Sequence, residues 1–137
     1  MIKFGLIGKG MALSECAAEI CMAGAAVHAI CDTESGRAAA LADQYNIGSV
    51  YLDYRELFNS AELDALCVCG CEISAAAEAI VSGKHVLLYI PAVLSGEDTR
   101  KLQLLADGHR TMLQICVAQS GTEIMVEGIK HFLQKLP

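Results

Sequence analysis

Gly8 and Gly10, one residue apart, close the apolar run Lys3-Phe4-Gly5-Leu6-Ile7 and open onto Met11-Ala12-Leu13. An apolar run of that length reads as a buried strand, and the two glycines then allow a turn tight enough for backbone N–H groups to reach a diphosphate. The segment that follows, with Ala17, Ala18, Ile20, Cys21 and Met22, suits a helix whose positive N-terminal end would face the phosphates. An acidic residue is expected at the tip of the next strand, roughly twenty residues on, where it can hold ribose hydroxyls. Asp32 stands there, ending Ala26-Val27-His28-Ala29-Ile30-Cys31. The chemistry implied is recognition of a dinucleotide, with Gly8, Lys9, Gly10, Met11 and Ala12 as its cradle and Asp32 at its ribose.

The third small residue of a Gly-x-Gly-x-x-Gly/Ala pattern would fall at Leu13. A bulky side chain there should hold helix and strand further apart, unless a turn one residue shorter lets Ala12 take the place. The same residues also suit a tight strand-to-helix turn in a fold that binds nothing. The charge of Asp32 would repel a 2′-phosphate while accepting bonds from free ribose hydroxyls, which favours NAD. Arg37, one turn away, leaves NADP open. Asp32 can in addition cap the helix that follows it.

Other reactive side chains point mainly to packing. Cys67, Cys69 and Cys71 alternate, so they share one face of a strand, near which Glu72 and Cys31 could lie. They lack the C-x-x-C spacing of loop-borne metal ligands, and no metal site is expected. Cys71 should sit at the strand end beside the nucleotide cleft. His28 and His85 fall in or at the start of strands, His109 and His131 on helix surfaces, and none has an adjacent Asp or Ser pattern that implies a triad. Tyr89 is either a strand-end core aromatic or a contact for the nicotinamide end of a ligand. No catalytic residue is assigned.

The elements that must position these groups alternate along the chain. Arg37 to Asn46 reads as a helix with Ala38, Leu41, Ala42 and Tyr45 on one face, followed by a short strand at Val50-Tyr51-Leu52 and a brief helix from Tyr54 to Asn59. Ala65-Leu66-Cys67-Val68-Cys69 is a continuous apolar strand, so both of its faces should be covered. Ser74 to Val81 is an alanine-rich helix stopped at Ser82-Gly83. His85 to Ile90 is the next strand, ended by Pro91, which cannot donate to a ladder. Ser95 is the expected N-cap of a helix running to about Asp107, with Glu97 and Asp98 in its first turn. Met112 to Val117 is a last strand, and Met125, Ile129, Phe132, Leu133 and Leu136 recur at helical spacing. That order specifies a doubly wound α/β fold, a mostly parallel sheet of about six strands with helices on both faces and ligands at the strands' carboxyl ends.

Composition agrees with one domain over residues 1–137. The hydrophobic fraction is 54% with only 5% aromatic, so the core must be built from Ala, Val, Ile, Leu and Cys, as helices on a buried parallel sheet require. A net charge of -6 without a basic cluster argues against nucleic acid or anionic membrane as partner. No signal peptide is visible, and the uncharged stretch between Glu19 and Asp32 is too short to span a bilayer. The odd count of 7 cysteines, placed inside apolar runs, suggests reduced core thiols and a cytoplasmic location.

The order of segments resembles the N-terminal domain of the Gfo/Idh/MocA oxidoreductases, the glucose-fructose oxidoreductase and inositol dehydrogenase family. The resemblance rests on Gly8-Lys9-Gly10, on Cys31-Asp32 followed by Arg37-Ala38, and on Tyr51-Leu52-Asp53-Tyr54-Arg55-Glu56-Leu57-Phe58. It continues through Leu63-Asp64-Ala65-Leu66 and Gly83-Lys84-His85-Val86-Leu87 to Leu113-Gln114. In that family the fifth strand ends in Glu-Lys-Pro, whose lysine is implicated in positioning substrate and in proton transfer beside the nicotinamide. Here Tyr89-Ile90-Pro91 stands in its place, and Ile90 can neither donate a proton nor orient an oxyanion. The family's Thr-Pro signature after the fourth strand is also missing, replaced by the shorter loop Gly70-Cys71-Glu72-Ile73. Cofactor contacts are expected from Gly70 and Cys71 in that loop and from Tyr89 and Pro91 at the end of the fifth strand.

Members of the family carry a second α/β domain that supplies the substrate pocket, and this sequence reaches Pro137 where that domain would begin. The resemblance therefore implies an NAD-binding Rossmann domain, with NADP open, that does not complete a hydride transfer alone. An alternative is an oxidoreductase completed by a second copy, as in a homodimer, or by a separate catalytic subunit, motivated by the amphipathic final helix. Another is a scaffold or regulatory domain that kept the fold and lost the ligand, favoured by Leu13 and Ile90.

Overall fold

Continuous apolar runs separated by amphipathic stretches are what a parallel sheet covered on both faces demands. In the computed structural model, which describes residues 2–32, 37–60, 62–70, 73–90, 94–117 and 122–136, those runs form the strands β1 (Lys3–Gly8), β2 (Ala26–Asp32), β3 (Ser49–Tyr51), β4 (Ala65–Cys69), β5 (His85–Ile90) and β6 (Leu113–Val117). Between and after them lie α1 (Gly10–Met22), α2 (Arg37–Tyr45), α3 (Tyr54–Phe58), α4 (Ile73–Val81), α5 (Gly96–Gly108) and α6 (Thr122–Lys135). The strands pair in the order β3-β2-β1-β4-β5-β6, and every neighbouring pair is parallel. This is the doubly wound order, with its reversal point between β1 and β4.

Side chains alternate across the sheet and divide the core into two layers. On β4, Ala65, Cys67 and Cys69 join the layer beneath α1, α2 and α6, while Leu66 and Val68 join the layer beneath α3, α4 and α5. On β5, Leu87 and Tyr89 take the first side, and Val86, Leu88 and Ile90 the second. Phe4 of β1 meets Phe132 of α6 at 6.0 Å between ring centroids, which ties the final helix to the middle of the sheet. The pairing of β1 with β2 slips between Phe4 and Gly5, where Phe4 faces Val27 but Gly5 faces Ala29. The residue passed over is His28, which is exposed as a bulge.

Local chemistry fixes the ends of the elements. The Ser95 hydroxyl accepts the Asp98 N–H at 3.1 Å, capping α5, and the Asp53 carboxylate accepts the Arg55 N–H at 3.0 Å, capping α3. Asn46 adopts a φ of 55°, a left-handed conformation that asparagine tolerates, and so ends α2 one residue before the sequence reading placed its end. On the edge opposite the glycine loop, His85 Nδ1 accepts the Met112 N–H at 2.9 Å and the Asp64 carboxylate accepts the Lys3 N–H at 2.9 Å.

Candidate functional site

The first loop lies at the carboxyl edge of the sheet, where the strand order reverses. Gly8, the last residue of β1, pairs with Asp32 on β2 and with Cys69 on β4, so the acidic residue is level with the glycine turn. A Cβ on Gly8 would stand 2.4 Å from the Cys69 carbonyl oxygen and 2.5 Å from its sulfur, contacts that no side chain survives. Glycine is therefore what allows β1 and β4 to meet here.

Gly10 begins α1 with a φ of +67°, a region that disfavours residues with a side chain, and among the described residues nothing outside its own helix turn lies within 4 Å of where its Cβ would be. Among the described residues, the space beside Gly10 at the start of α1 is open. Lys9, at the N-cap, is extended (φ -151°, ψ 159°) and makes no side-chain cap, and no acidic residue occupies the first turn. Helix-start N–H groups without a side-chain cap, facing an open volume and without a carboxylate among them, suit a diphosphate. The residues present thus fit a dinucleotide.

Leu13 does not obstruct this space. Its side chain is fully buried in the layer between α1 and the sheet, and its Cδ1 lies 3.1 Å from the position a Gly8 Cβ would take. The bulk that the sequence placed between helix and strand is taken up by the room Gly8 leaves. Gly70, just past β4, has a φ of +63°, and a Cβ there would be 2.8 Å from the Lys9 carbonyl oxygen, so this residue forms a close wall of the loop. Ala12 is its neighbour, 3.5 Å from the same point.

Arg37 and Met11 are brought together across the opening. The Arg37 guanidinium donates to the Met11 sulfur at 3.4 Å, and Met11 is 67% exposed, so α2 presents its cation at the first turn of α1. Cys71 and Pro91 lie outside the described residues.

Tyr89 is turned away from the opening. It is 3% exposed, beneath α1, and its hydroxyl stands 3.1 Å from Glu15 Oε2 and 3.1 Å from Glu19 Oε1. Burial pushes the Tyr89 hydroxyl well above the ordinary tyrosine range, and burial likewise raises Glu19. Sequence reasoning missed this trio, although the spacing of Glu15 and Glu19 sets both carboxylates on one face of a helix.

Cys16, Cys31, Cys67, Cys69 and Cys116 are buried and Cys21 is exposed, with one correction to the sequence reading. Cys67 and Cys69 face the buried Cys16 of α1, whereas Cys31 lies in the opposite layer, so it is not their neighbour. Adjacent strands present register-paired residues to the same side, and Cys31 pairs with Ile7 rather than with Gly8. Burial raises the Cys16 thiol, and Cys69 Sγ donates to the Ile7 carbonyl at 3.4 Å. Among the described residues, no group of three or more His, Cys, Asp or Glu side chains is arranged to hold a metal ion. Among the same residues no helix is long and apolar enough to cross a membrane.

The family model for Gfo/Idh/MocA, described as an oxidoreductase family with an NAD-binding Rossmann fold, matches residues 2–117. No curated protein matches the sequence. Among solved structures, a probable dehydrogenase from Thermotoga maritima superposes with a TM-score of 0.72 at 22% identity, over 83% of this chain and 35% of that one. A putative myo-inositol dehydrogenase from Sinorhizobium meliloti gives 0.73 at 22% identity, over 85% of this chain and 36% of that one. Biliverdin reductase from Synechocystis, in complex with biliverdin and NADP+, gives 0.69 at 24% identity, over 83% and 37%. At such identities the likeness shows the fold, and the chain spans little more than a third of the length of each of these three relatives.

Proposed function

Since the chain belongs to the Gfo/Idh/MocA oxidoreductase family, as its NAD-binding Rossmann domain, we propose that residues 1–137 act as one dinucleotide-binding domain in which the loop from Gly8 to Ala12 holds the cofactor diphosphate and Asp32 the adenosine ribose. The observation that carries this assignment is at Gly10, whose left-handed backbone opens onto space that no other described residue fills at the start of α1, beside a carboxylate level with Gly8. Gly70 supports the loop from the side of β4, and Cys71 and Pro91 complete the set by resemblance to the family. Tyr89 is not placed against the cofactor in this reading, since its hydroxyl is engaged by Glu15 and Glu19 beneath the helix that carries the loop.

NAD is the preferred cofactor in this reading, because the Asp32 carboxylate accepts ribose hydroxyls and repels a 2′-phosphate. Arg37, held at Met11, is the cation that would accommodate NADP, the cofactor named for the Synechocystis relative. The bound cofactor supplies the hydride chemistry. Ile90, in the place of the family's lysine, is buried and carries no proton to exchange. We therefore assign proton transfer to groups away from the end of β5, in a further domain, a second copy or a separate subunit. Buried thiols such as Cys16 and Cys67 support a reducing, cytoplasmic setting.

Calorimetric titration with NAD, NADH, NADP and NADPH tests the assignment. Saturable heat with NAD or NADH, and weaker binding of the phosphorylated pair, is expected. Absence of heat and of any thermal shift at millimolar ligand would overturn it.

A further inference from the structure

Glu19 is the charged side chain that the described fold buries, at 5% exposure. Its Oε1 lies 3.1 Å from the Tyr89 hydroxyl, and its Oε2 is buried with no hydrogen-bond partner among the described residues. One turn earlier on α1, the exposed Glu15 places Oε2 3.1 Å from the same hydroxyl. A phenol has a single proton to give. Two ionised carboxylates around it would leave one of them facing a lone pair, in a layer whose other buried side chains, among the described residues, are apolar groups and thiols.

Among the described residues, no cation offsets that arrangement. The groups that face Glu19 are Tyr89 on β5, Glu15 on its own helix, Cys67 on β4 and Cys116 on β6. An isolated buried carboxylate of this kind takes up a proton rather than remain charged.

We infer that Glu19 is held as a neutral carboxylic acid in the folded protein at neutral pH, donating from Oε1 to Tyr89 Oη while Tyr89 donates to the Glu15 carboxylate, so that one buried proton locks α1 to the end of β5. Each atom then has a consistent role. Glu15 accepts, Tyr89 donates once and accepts once, and Glu19 donates. Loss of the proton sets two like charges against one hydroxyl and loosens the lock. Because α1 begins at Gly10, the same proton steadies the helix that carries the glycine loop. Glu19 and Tyr89 are positioning residues for that loop, and the lock can be tested without any cofactor.

Burial raises the pKa of Glu19, the Tyr89 hydrogen bond opposes that rise, and the charge of Glu15 adds to it. A folded pKa above the unfolded one means that the associated stability is complete below the ordinary glutamate value and is lost as pH rises through the folded value.

Infrared spectroscopy of the full chain, unlabelled and with glutamate 13C-labelled at the side-chain carboxyl carbon, reads the proton directly. A protonated-carboxyl C=O band at neutral pH that shifts with the label and vanishes in Glu19→Gln is expected. Thermal midpoints from about pH 4 to about pH 9 give the second readout. The advantage of Glu19→Gln over the wild type should widen as pH rises above the ordinary glutamate value and then level off. In a Glu15→Gln background it should level off at lower pH, a shift that a purely steric role for Glu19 would not produce. A folded wild-type protein with no such band at neutral pH, or midpoints of wild type and Glu19→Gln that run parallel across the range, would overturn the lock.

Discussion

Leu13 and Gly8 share one volume, for the Cδ1 of Leu13 lies 3.1 Å from the point where a side chain on Gly8 would begin. The glycine at the end of β1 thus serves two neighbours at once, the backbone of β4 and the first buried leucine of α1. This relationship lets a chain with leucine in the third position of the glycine pattern keep its loop open.

Gly8→Ala should destabilise the fold strongly, because the added methyl meets the Cys69 carbonyl at 2.4 Å and forces β1 from β4. A loss of about 1–3 kcal/mol or more is expected from overpacking against backbone. Gly10→Ala meets no other described residue, and its cost comes from its φ of +67°, about 1–2 kcal/mol. Urea denaturation of the two variants side by side checks the ordering, and equal losses would contradict it.

Asp32→Ala should weaken NAD about tenfold or more, the loss of a charge-assisted bond to the ribose being worth about 1.5–3 kcal/mol. Arg37→Ala should weaken NADP more than NAD. Competitive calorimetry on both variants separates the two roles, and an unchanged NAD affinity in Asp32→Ala would remove that residue from the site.

Phe132→Ala removes a fully buried ring packed on Phe4. The expected cost is about 3–5 kcal/mol, enough to lower the thermal midpoint by many degrees. If the midpoint stayed within experimental error, α6 would not be anchored to the sheet as described.

Acid should weaken the amino-terminal edge of the sheet through His85. Burial lowers this imidazole's pKa, with the nearby Asp64 charge opposing the shift, and its Nδ1 accepts the Met112 N–H at 2.9 Å. The unfolded chain takes up the proton first as pH falls below about 6.5, so the stability contributed by the neutral ring is present above that value and lost as pH drops through the folded pKa. Glu19 acts in the opposite sense over part of this range, so the comparison to make is between wild type and His85→Gln. The difference between their midpoints should shrink or reverse in acid, and a constant difference would exclude the titration.

Much of the fold was legible in the residue order. The all-apolar run from Ala65 to Cys69 announces a strand covered on both sides, and Ser95 with Asp98 announces a helix start, because both signals are local. The pairing of Gly8 with Asp32 was legible too, since the strand-turn-helix-strand unit sets that spacing. The placement of Cys31 was not, because which layer a strand residue joins depends on its register with the neighbouring strand. For the same reason the sequence did not join Tyr89 to Glu15 and Glu19, which lie far from it along the chain.

By itself the sequence determined the alternation of strands and helices, the glycine turn and the acidic residue beyond the second strand. These follow from backbone freedom and hydrophobic period, which act over a few residues. Only the tertiary structure decided that Leu13 would sink beneath the loop, that Arg37 would reach Met11, and that one tyrosine hydroxyl would stand between two carboxylates. Those outcomes depend on how closely elements distant in the chain pack, and close packing is a property of the assembled core rather than of any segment in it.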